Sequence, residues 1–390
     1  METPAVFAPP AAAESAAATA PAQVKTERYA AIDMLRGVAM LAMALDHAAY
    51  FARTEFIAES FNSIRPTIES WPHMLTGFIT NIASGIFFTL AGTSVAFFEK
   101  SRRKQGWSEG RITRFLLTRA LILLALDQLI NRLVYQMDFA FTVLTAIAFC
   151  LAVIAFARRL PLPATAAAGL GLLLVYPLIV AQFPYDPAQP PPDLIKALFL
   201  FGMDAPPFVE FPAMGWLGLV LLGYVWGRLL LAGKTAISPR LLLWVALAGF
   251  AAFFALRLLG GYGNLLPYQP DWPWFYFFIE NKQPPSLTYL LFNLSVAAVI
   301  LAAIKLVERP LVRSAPGWAL TVLGQTSLFF FVAHLFLYAF VLAVLIPPTS
   351  LQGMGIVRGY LISGLGVLIL IPVCAGYRRL RRRYSVLSYL

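Results

Sequence analysis

Apolar runs of the length a bilayer demands, about 18 residues or more, recur along almost the whole chain with short polar breaks between them. Ten can be drawn, at roughly 31–52, 74–98, 112–132, 139–157, 163–182, 209–232, 238–259, 285–307, 318–346 and 354–377. The apolar positions are continuous rather than alternating, which suits helices whose backbone groups are satisfied within the segment. The pattern predicts an all-α, polytopic integral-membrane helical bundle of about ten transmembrane helices, with the lipid bilayer as its surroundings. The ninth run is long for one crossing and is expected to tilt or to begin before the membrane.

Residues 1–27 break this pattern. They are Ala/Pro-rich, carry Glu2 and Glu14, and have no basic residue before Lys25. A secretory signal needs a basic start and an apolar core, so a disordered tail is expected here, with the first span acting as an uncleaved anchor. One membrane domain is expected over 28–380, followed by a short basic tail at 381–390.

Charge placement sets the orientation. The net charge of +11 would suit nucleic acid, but the cations sit at helix ends and follow the positive-inside rule instead. Drawn with the N-terminus inside, the inner ends hold 21 Lys and Arg and the outer loops six: Arg53, Arg65, Arg132, Lys196, Lys282 and Arg358. Both termini are therefore expected in the cytoplasm, with an even number of spans, and no nucleic-acid partner is expected. Two outer loops are long: one around 190–211, where a short interfacial helix is expected, and an aromatic one at 260–286. The second reads equally as an interfacial collar or as a lid over an outward-opening cavity.

Ionisable residues inside spans are costly and mark candidate function. The first span, AIDMLRGVAMLAMALDH, holds four. At about 100° per residue, Arg36 and His47 return to within about 20° of one face, and Asp33 falls about 40° to the other side of His47. Arg36 and His47 are roughly 16 Å apart along the axis, and Asp46 points about 100° away, toward a neighbouring helix. Asp33 also reads as a helix cap and Arg36 as a snorkelling cation. His47 lies too deep to snorkel, and a neutral imidazole there suits a general base. In the ninth span, His334 has Ser327 two turns before it and Tyr338 one turn after, and reads equally as structural or catalytic. Arg119 and Asp127, charged within the third span, are expected to find partners on other helices, Asp127 being a candidate partner for an imidazole. His73 reads as structural. Cys150 and Cys374 have no disulfide or metal spacing, and no Walker loop, HExxH or CxxC pair occurs, so no metal is expected.

At AIDMLRGVAMLAMALDH the chain resembles bacterial multi-spanning proteins of the DUF1624 type, related to the catalytic region of heparan-α-glucosaminide N-acetyltransferase within the transmembrane acyltransferases. The likeness continues through FFTLAGTSVAFF, PAMGWLGLVLLGYVWGRLL, the GGYG turn, NKQPPS and LGQTSLFFFVAHLFLY. It implies a multi-pass protein of the bacterial inner membrane that moves an acyl group, most simply acetyl, from cytoplasmic acyl-CoA to a hydroxyl or amine on a small-molecule or carbohydrate acceptor reached from outside. His47 stands where the acetyltransferase relatives carry an active-site asparagine, their catalytic histidine falling later. The large lumenal domain of those relatives is missing. The expected catalytic set is His47, Asp46, His334 and Asp127, with Asp46 or Asp127 orienting the His47 ring, and the expected donor-binding set is Arg36, Asp33 and Arg119. A proton-coupled transporter and a non-catalytic membrane protein are the rivals, though no internal repeat of the transporter kind is visible. Self-association is left open.

Overall fold

A computed structural model describes residues 29–52, 60–68, 70–184, 186, 191–346, 355–384 and 387. The expected tail over 1–27 lies outside the described residues. The fold is an all-α helical bundle with almost no strand. In chain order it comprises α1 (Ala30–Ala52), α2 (Trp71–Lys104), α3 (Glu109–Ile130), α4 (Val143–Ala157), α5 (Leu162–Val180), the short α6 (Asp193–Phe199), α7 (Ala213–Leu231) and α8 (Pro239–Leu259). There follow α9 (Leu287–Leu306), α10 (Glu308–Arg313), α11 (Ala315–Gln325), α12 (Ser327–Phe336), α13 (Ala343–Leu345) and α14 (Ile356–Arg383). Nine of the ten expected spans each coincide with one helix, and the remaining one, the ninth, with more than one. Among the described residues seven helical segments are long and apolar enough to cross a membrane. The other three are α1 and α3, which carry buried charges, and the shorter α4.

Polar punctuation sets the helix starts. Ser70, Ser108, Ser238, Ser286 and Ser314 each cap a helix by accepting the backbone N–H three residues on, and several are followed by a proline suited to a first turn. Small residues then set the packing. At the crossing of α2 and α7, a Cβ on Gly92 would meet the Val220 carbonyl oxygen at 1.9 Å and one on Gly223 would meet that of Thr89 at 2.0 Å. Backbones that close need glycine on both helices.

The ninth span departs from expectation. It is two helices, α11 and α12, broken at Thr326 (φ −119°, ψ 27°), and α12 runs on into a π-helical turn, Leu337–Leu342. The break explains the excess length: α11 packs on the start of α1 and α12 continues across the bundle. Asp33 on α1 and Arg378 on α14 both bond to the Gln325 amide, at 2.8 and 3.2 Å, so the first and last helices begin and end at the same face. Arg381, expected in a separate tail, belongs to the last turn of α14.

That basic face is held by one buried network. The Arg158 guanidinium, 0% exposed, pairs with Glu99 at 3.0 Å and Glu109 at 2.6 Å and donates to Thr113 at 2.9 Å. The Tyr224 hydroxyl donates to the second Glu99 oxygen at 2.6 Å. Four helices, α2, α3, α4 and α7, meet there.

The opposite face carries the long loops. Two parallel two-stranded pairs form there: β1 (Ser60–Phe61) with β4 (Asn281–Gln283), and β2 (Ala140–Phe141) with β3 (Phe208–Val209). The aromatic loop 260–286 is anchored rather than loose. Arg257, at the end of α8, donates to the carbonyl oxygens of Phe277, Tyr276 and Ile279 and pairs with Glu280 at 2.6 Å. Burial pushes the Glu280 carboxyl up to about 7, against the opposing pull of Arg257, Thr288 and Ser286. An unfolded chain titrates this group near 4.5. Between those values the folded chain keeps a proton that the unfolded chain has lost, so this contribution to stability is full below about 4.5 and is lost as pH rises through about 7. Glu280→Gln is expected to flatten that segment of a plot of unfolding temperature against pH. An unchanged slope would contradict the assignment.

Candidate active site

The first span delivers its polar stripe to the break in the ninth. Gly37 and Gly324 allow the approach: a Cβ on Gly324 would meet the Asp33 carbonyl oxygen at 1.9 Å, and one on Gly37 that of Leu320 at 2.2 Å. Arg36 donates to the Ser94 hydroxyl at 2.8 Å and to the Gly324 carbonyl at 3.3 Å, and lies 3.6 Å from Asp33. Arg381 reaches the Gln325 carbonyl at 3.3 Å. The helix break thus supplies carbonyl oxygens that two guanidiniums use, as expected where a helix end leaves acceptors unpaired.

Three helix turns further along α1, His47 meets His334. Their Nδ1 and Nε2 atoms are 2.7 Å apart, and His334 Nδ1 lies 2.9 Å from the Phe330 carbonyl oxygen. The tautomers follow from that oxygen, which only accepts. His334 carries its proton on Nδ1, its Nε2 is a lone pair, and His47 donates to it through Nδ1–H. His47 Nε2 is left as a lone pair, which is the state of a general base. His334 is fully buried, stacked on Phe330 (centroids 5.2 Å) and edge-on to Tyr338 (5.6 Å), and is held in one orientation. His47 is only partly buried. The π-helical turn follows directly after His334, a local irregularity often found at functional sites.

The expected carboxylate partners are a correction. Asp127 is 0% exposed and accepts from the Thr142 N–H at 3.0 Å and the Thr142 and Thr145 hydroxyls at 2.6 and 2.7 Å, so it orders the entry to α4. Asp46 lies in electrostatic reach of Tyr135 and, among the described residues, bonds to neither imidazole. The group that bonds to His47 is a second imidazole, that of His334. No sequence spacing pairs His47 with His334; only the rarity of buried histidine flagged both. His73 caps into the start of α2 through its backbone N–H on Ser70 and is buried, a structural placement.

A cavity of about 280 Å³ runs between these two places. Arg36, Arg119 and Arg381 line it together with Gln325 and Ser94, and its walls are apolar, including Phe87, Leu116 and Leu151. Met43, one turn before His47, and Phe331, whose ring is edge-on to both imidazoles, also line it, so the histidine pair stands behind these two wall residues rather than in the cavity itself. Arg119 Nε is buried with no hydrogen-bond partner. Three guanidiniums on one apolar cavity repel one another; Asp33 beside Arg36 offsets part of this, and an anion entering the cavity would offset more. Arg36 and Arg119 were legible as charges within spans; Arg381 sits among five basic residues that topology alone accounts for, and nothing in its spacing singled it out.

Lys282, on β4, is in electrostatic reach of the His47 imidazole. A second cavity, about 410 Å³, opens among the outer loops and is lined by Asn62, Ser63, Lys196, Asn264 and Pro284.

No curated protein matches the chain. A family model does: heparan-alpha-glucosaminide N-acetyltransferase, catalytic, over residues 28–262. The matched part takes in Arg36, His47, Arg119 and Asp127 and ends before Lys282, His334 and Arg381. With its histidine pair set between a cationic apolar cavity and the outer loops of a helical membrane bundle, the chain belongs to the family of the heparan-alpha-glucosaminide N-acetyltransferase catalytic region.

Proposed function

We propose that this protein is an acyltransferase of the bacterial inner membrane, carrying an acyl group, most simply acetyl, from cytoplasmic acyl-CoA to a hydroxyl or amine acceptor on the outer side. The observation that carries it is the His47–His334 pair next to Met43 and Phe331, two wall residues of a cavity that three arginines also line. The residues fit such a donor. Guanidiniums match phosphate oxygens in charge and in fork geometry, and the apolar walls suit an acyl-pantetheine arm. A cavity of about 280 Å³ takes that arm rather than the whole donor, leaving the nucleotide at the basic mouth. Asp33 acts through Arg36, which it helps to hold.

In this reading His47 Nε2 accepts the proton of the acceptor's O–H or N–H as that atom attacks the thioester carbonyl. The carbon–sulfur bond breaks, CoA leaves as thiolate, and the proton on His47 neutralises it or passes to solvent. His334 keeps the ring in the basic tautomer and, through its backbone-anchored Nδ1–H, supports the positive charge that develops.

Arg36→Ala and Arg381→Ala are each expected to weaken acetyl-CoA binding by about tenfold, the scale of one lost charge-assisted bond, with acceptor affinity changed far less. Calorimetric titration of the purified protein checks this. Undiminished donor affinity in both variants would remove the cavity from the donor site.

A further inference from the structure

The short strand β4 holds two amide side chains, both 0% exposed, that differ completely in their bonding. Asn281 accepts from the Ser60 hydroxyl and the Ser63 N–H, both at 2.8 Å, and donates to the Pro284 carbonyl at 2.7 Å. Glu280 beside it is taken by Arg257, Ser286 and Thr288. Gln283 is the exception: among the described residues, neither its side-chain oxygen nor its side-chain nitrogen has a hydrogen-bond partner. Enclosing an amide with both ends unmet costs several kcal/mol in an apolar setting, and buried polar groups are otherwise almost always satisfied. The surrounding turn had ample means to satisfy it or to use an apolar residue.

Its position says what the amide is kept for. The Gln283 carbonyl accepts from Asn62 N–H at 2.9 Å, and both Asn62 and the following Pro284 line the 410 Å³ outer cavity. Gln283 itself is not among that cavity's lining residues, but the two residues bonded to its backbone are, which puts the amide next to the wall. The residue before it, Lys282, is in electrostatic reach of His47. The strand thus carries both the residue beside the outer cavity and a lysine whose charge the His47 imidazole feels. A second buried donor without a partner, Trp216 Nε1, belongs to the same corner, where a Cβ on the adjoining Gly215 would meet Pro285 at 2.7 Å.

From this we infer that Gln283 is a specificity-determining residue for the acceptor. Its carboxamide reads a hydrogen-bond donor and acceptor that flank the group to be acylated, as adjacent hydroxyls or an amide would. The identity of the ligand as an acyl acceptor rests on the function proposed above; the existence of a polar ligand at Gln283 does not. A site built to bond a polar edge rejects an analogue that lacks it far more strongly than an apolar site rejects a polar one.

The test compares wild type, Gln283→Met and Gln283→Glu, with glucosamine and cyclohexylamine as two ring-bearing amines that differ in their hydroxyls. Direct binding is measured by calorimetry, and transfer is measured from acetyl-CoA. Wild type is expected to bind glucosamine at least tenfold more tightly than cyclohexylamine. Gln283→Met should erase that preference while acetyl-CoA affinity stays within twofold, and Gln283→Glu, which keeps an acceptor but loses both donors, should fall between. A merely structural amide would lower both amines' binding together. An unchanged preference in Gln283→Met, parallel loss of donor and acceptor binding, or no preference in wild type overturns the inference. Because the binding arm needs no catalysis, absence of transfer with the preference intact would sink the acyltransferase reading and leave the recognition site standing.

Discussion

His47→Ala is expected to lower turnover by about two to four orders of magnitude, the range for a lost general base, with little change in acetyl-CoA affinity. The reason lies in the geometry. His47 is the only partly buried member of the imidazole pair, and the chain of bonds from the Phe330 carbonyl through His334 leaves its Nε2 as an unshared lone pair. Removing the ring leaves His334 Nε2 buried and unpartnered, which costs about 1–3 kcal/mol, so the variant folds with reduced stability and rates must be normalised to folded protein. His334→Phe probes the orienting role separately. It fills the space, removes the bond that fixes the tautomer, and is expected to lower turnover by about tenfold to a hundredfold, less than loss of the base itself. Near-wild-type turnover in folded His47→Ala would take the imidazole out of the chemistry.

The largest expected effect on stability is elsewhere. Arg158→Met should destabilise the protein by about 3–5 kcal/mol, the cost of breaking a buried ion pair from one side. Arg158 and Glu99 are 0% and 2% exposed, and Glu99 would lose its one fully enclosed cationic partner, keeping only the half-exposed Arg103 and Arg228. Pairing the change with Glu99→Gln should recover much of the loss, because no uncompensated charge then remains. Arg103 offers the contrast. It also meets Glu99, at 2.8 Å, yet its side chain is 51% exposed, and its replacement by Met should cost less than about 1 kcal/mol. Unfolding temperatures in detergent, with the three variants side by side, check the order. Equal losses for Arg158→Met and Arg103→Met would contradict it.

The two results bear on what a sequence can disclose. The helices long and apolar enough to span were legible, because hydrophobic length is a local property and many helix starts carry their own serine or proline. The stripe of Asp33, Arg36 and His47 was legible for the same reason: helical period decides which residues share a face. Period does not say what that face meets. His47 and His334 are 287 residues apart, and their pairing depends on how α1 crosses the broken ninth span. The break itself has a faint signal, the polar run Gly324–Gln325–Thr326–Ser327 inside an apolar stretch. Such a run also suits helix packing, and only the structure shows its carbonyls engaged by Arg36 and Arg381. Asp127 misled because a buried carboxylate suits an imidazole as well as a helix entry, and here Thr142 and Thr145 claimed it. The orphaned amide of Gln283 has no sequence signature at all, since it is defined by what its neighbours leave unmet.

The central claim is that the histidine pair performs acyl transfer between the two faces of the membrane. Its most direct test is a proteoliposome preparation with acetyl-CoA supplied at the basic face and glucosamine at the other. Free CoA and acetylated amine are expected to appear in equal amounts, independent of an imposed proton gradient, and both to fall by about two to four orders of magnitude with His47→Ala. Gradient-driven uptake of solute with no release of CoA under any condition would contradict it.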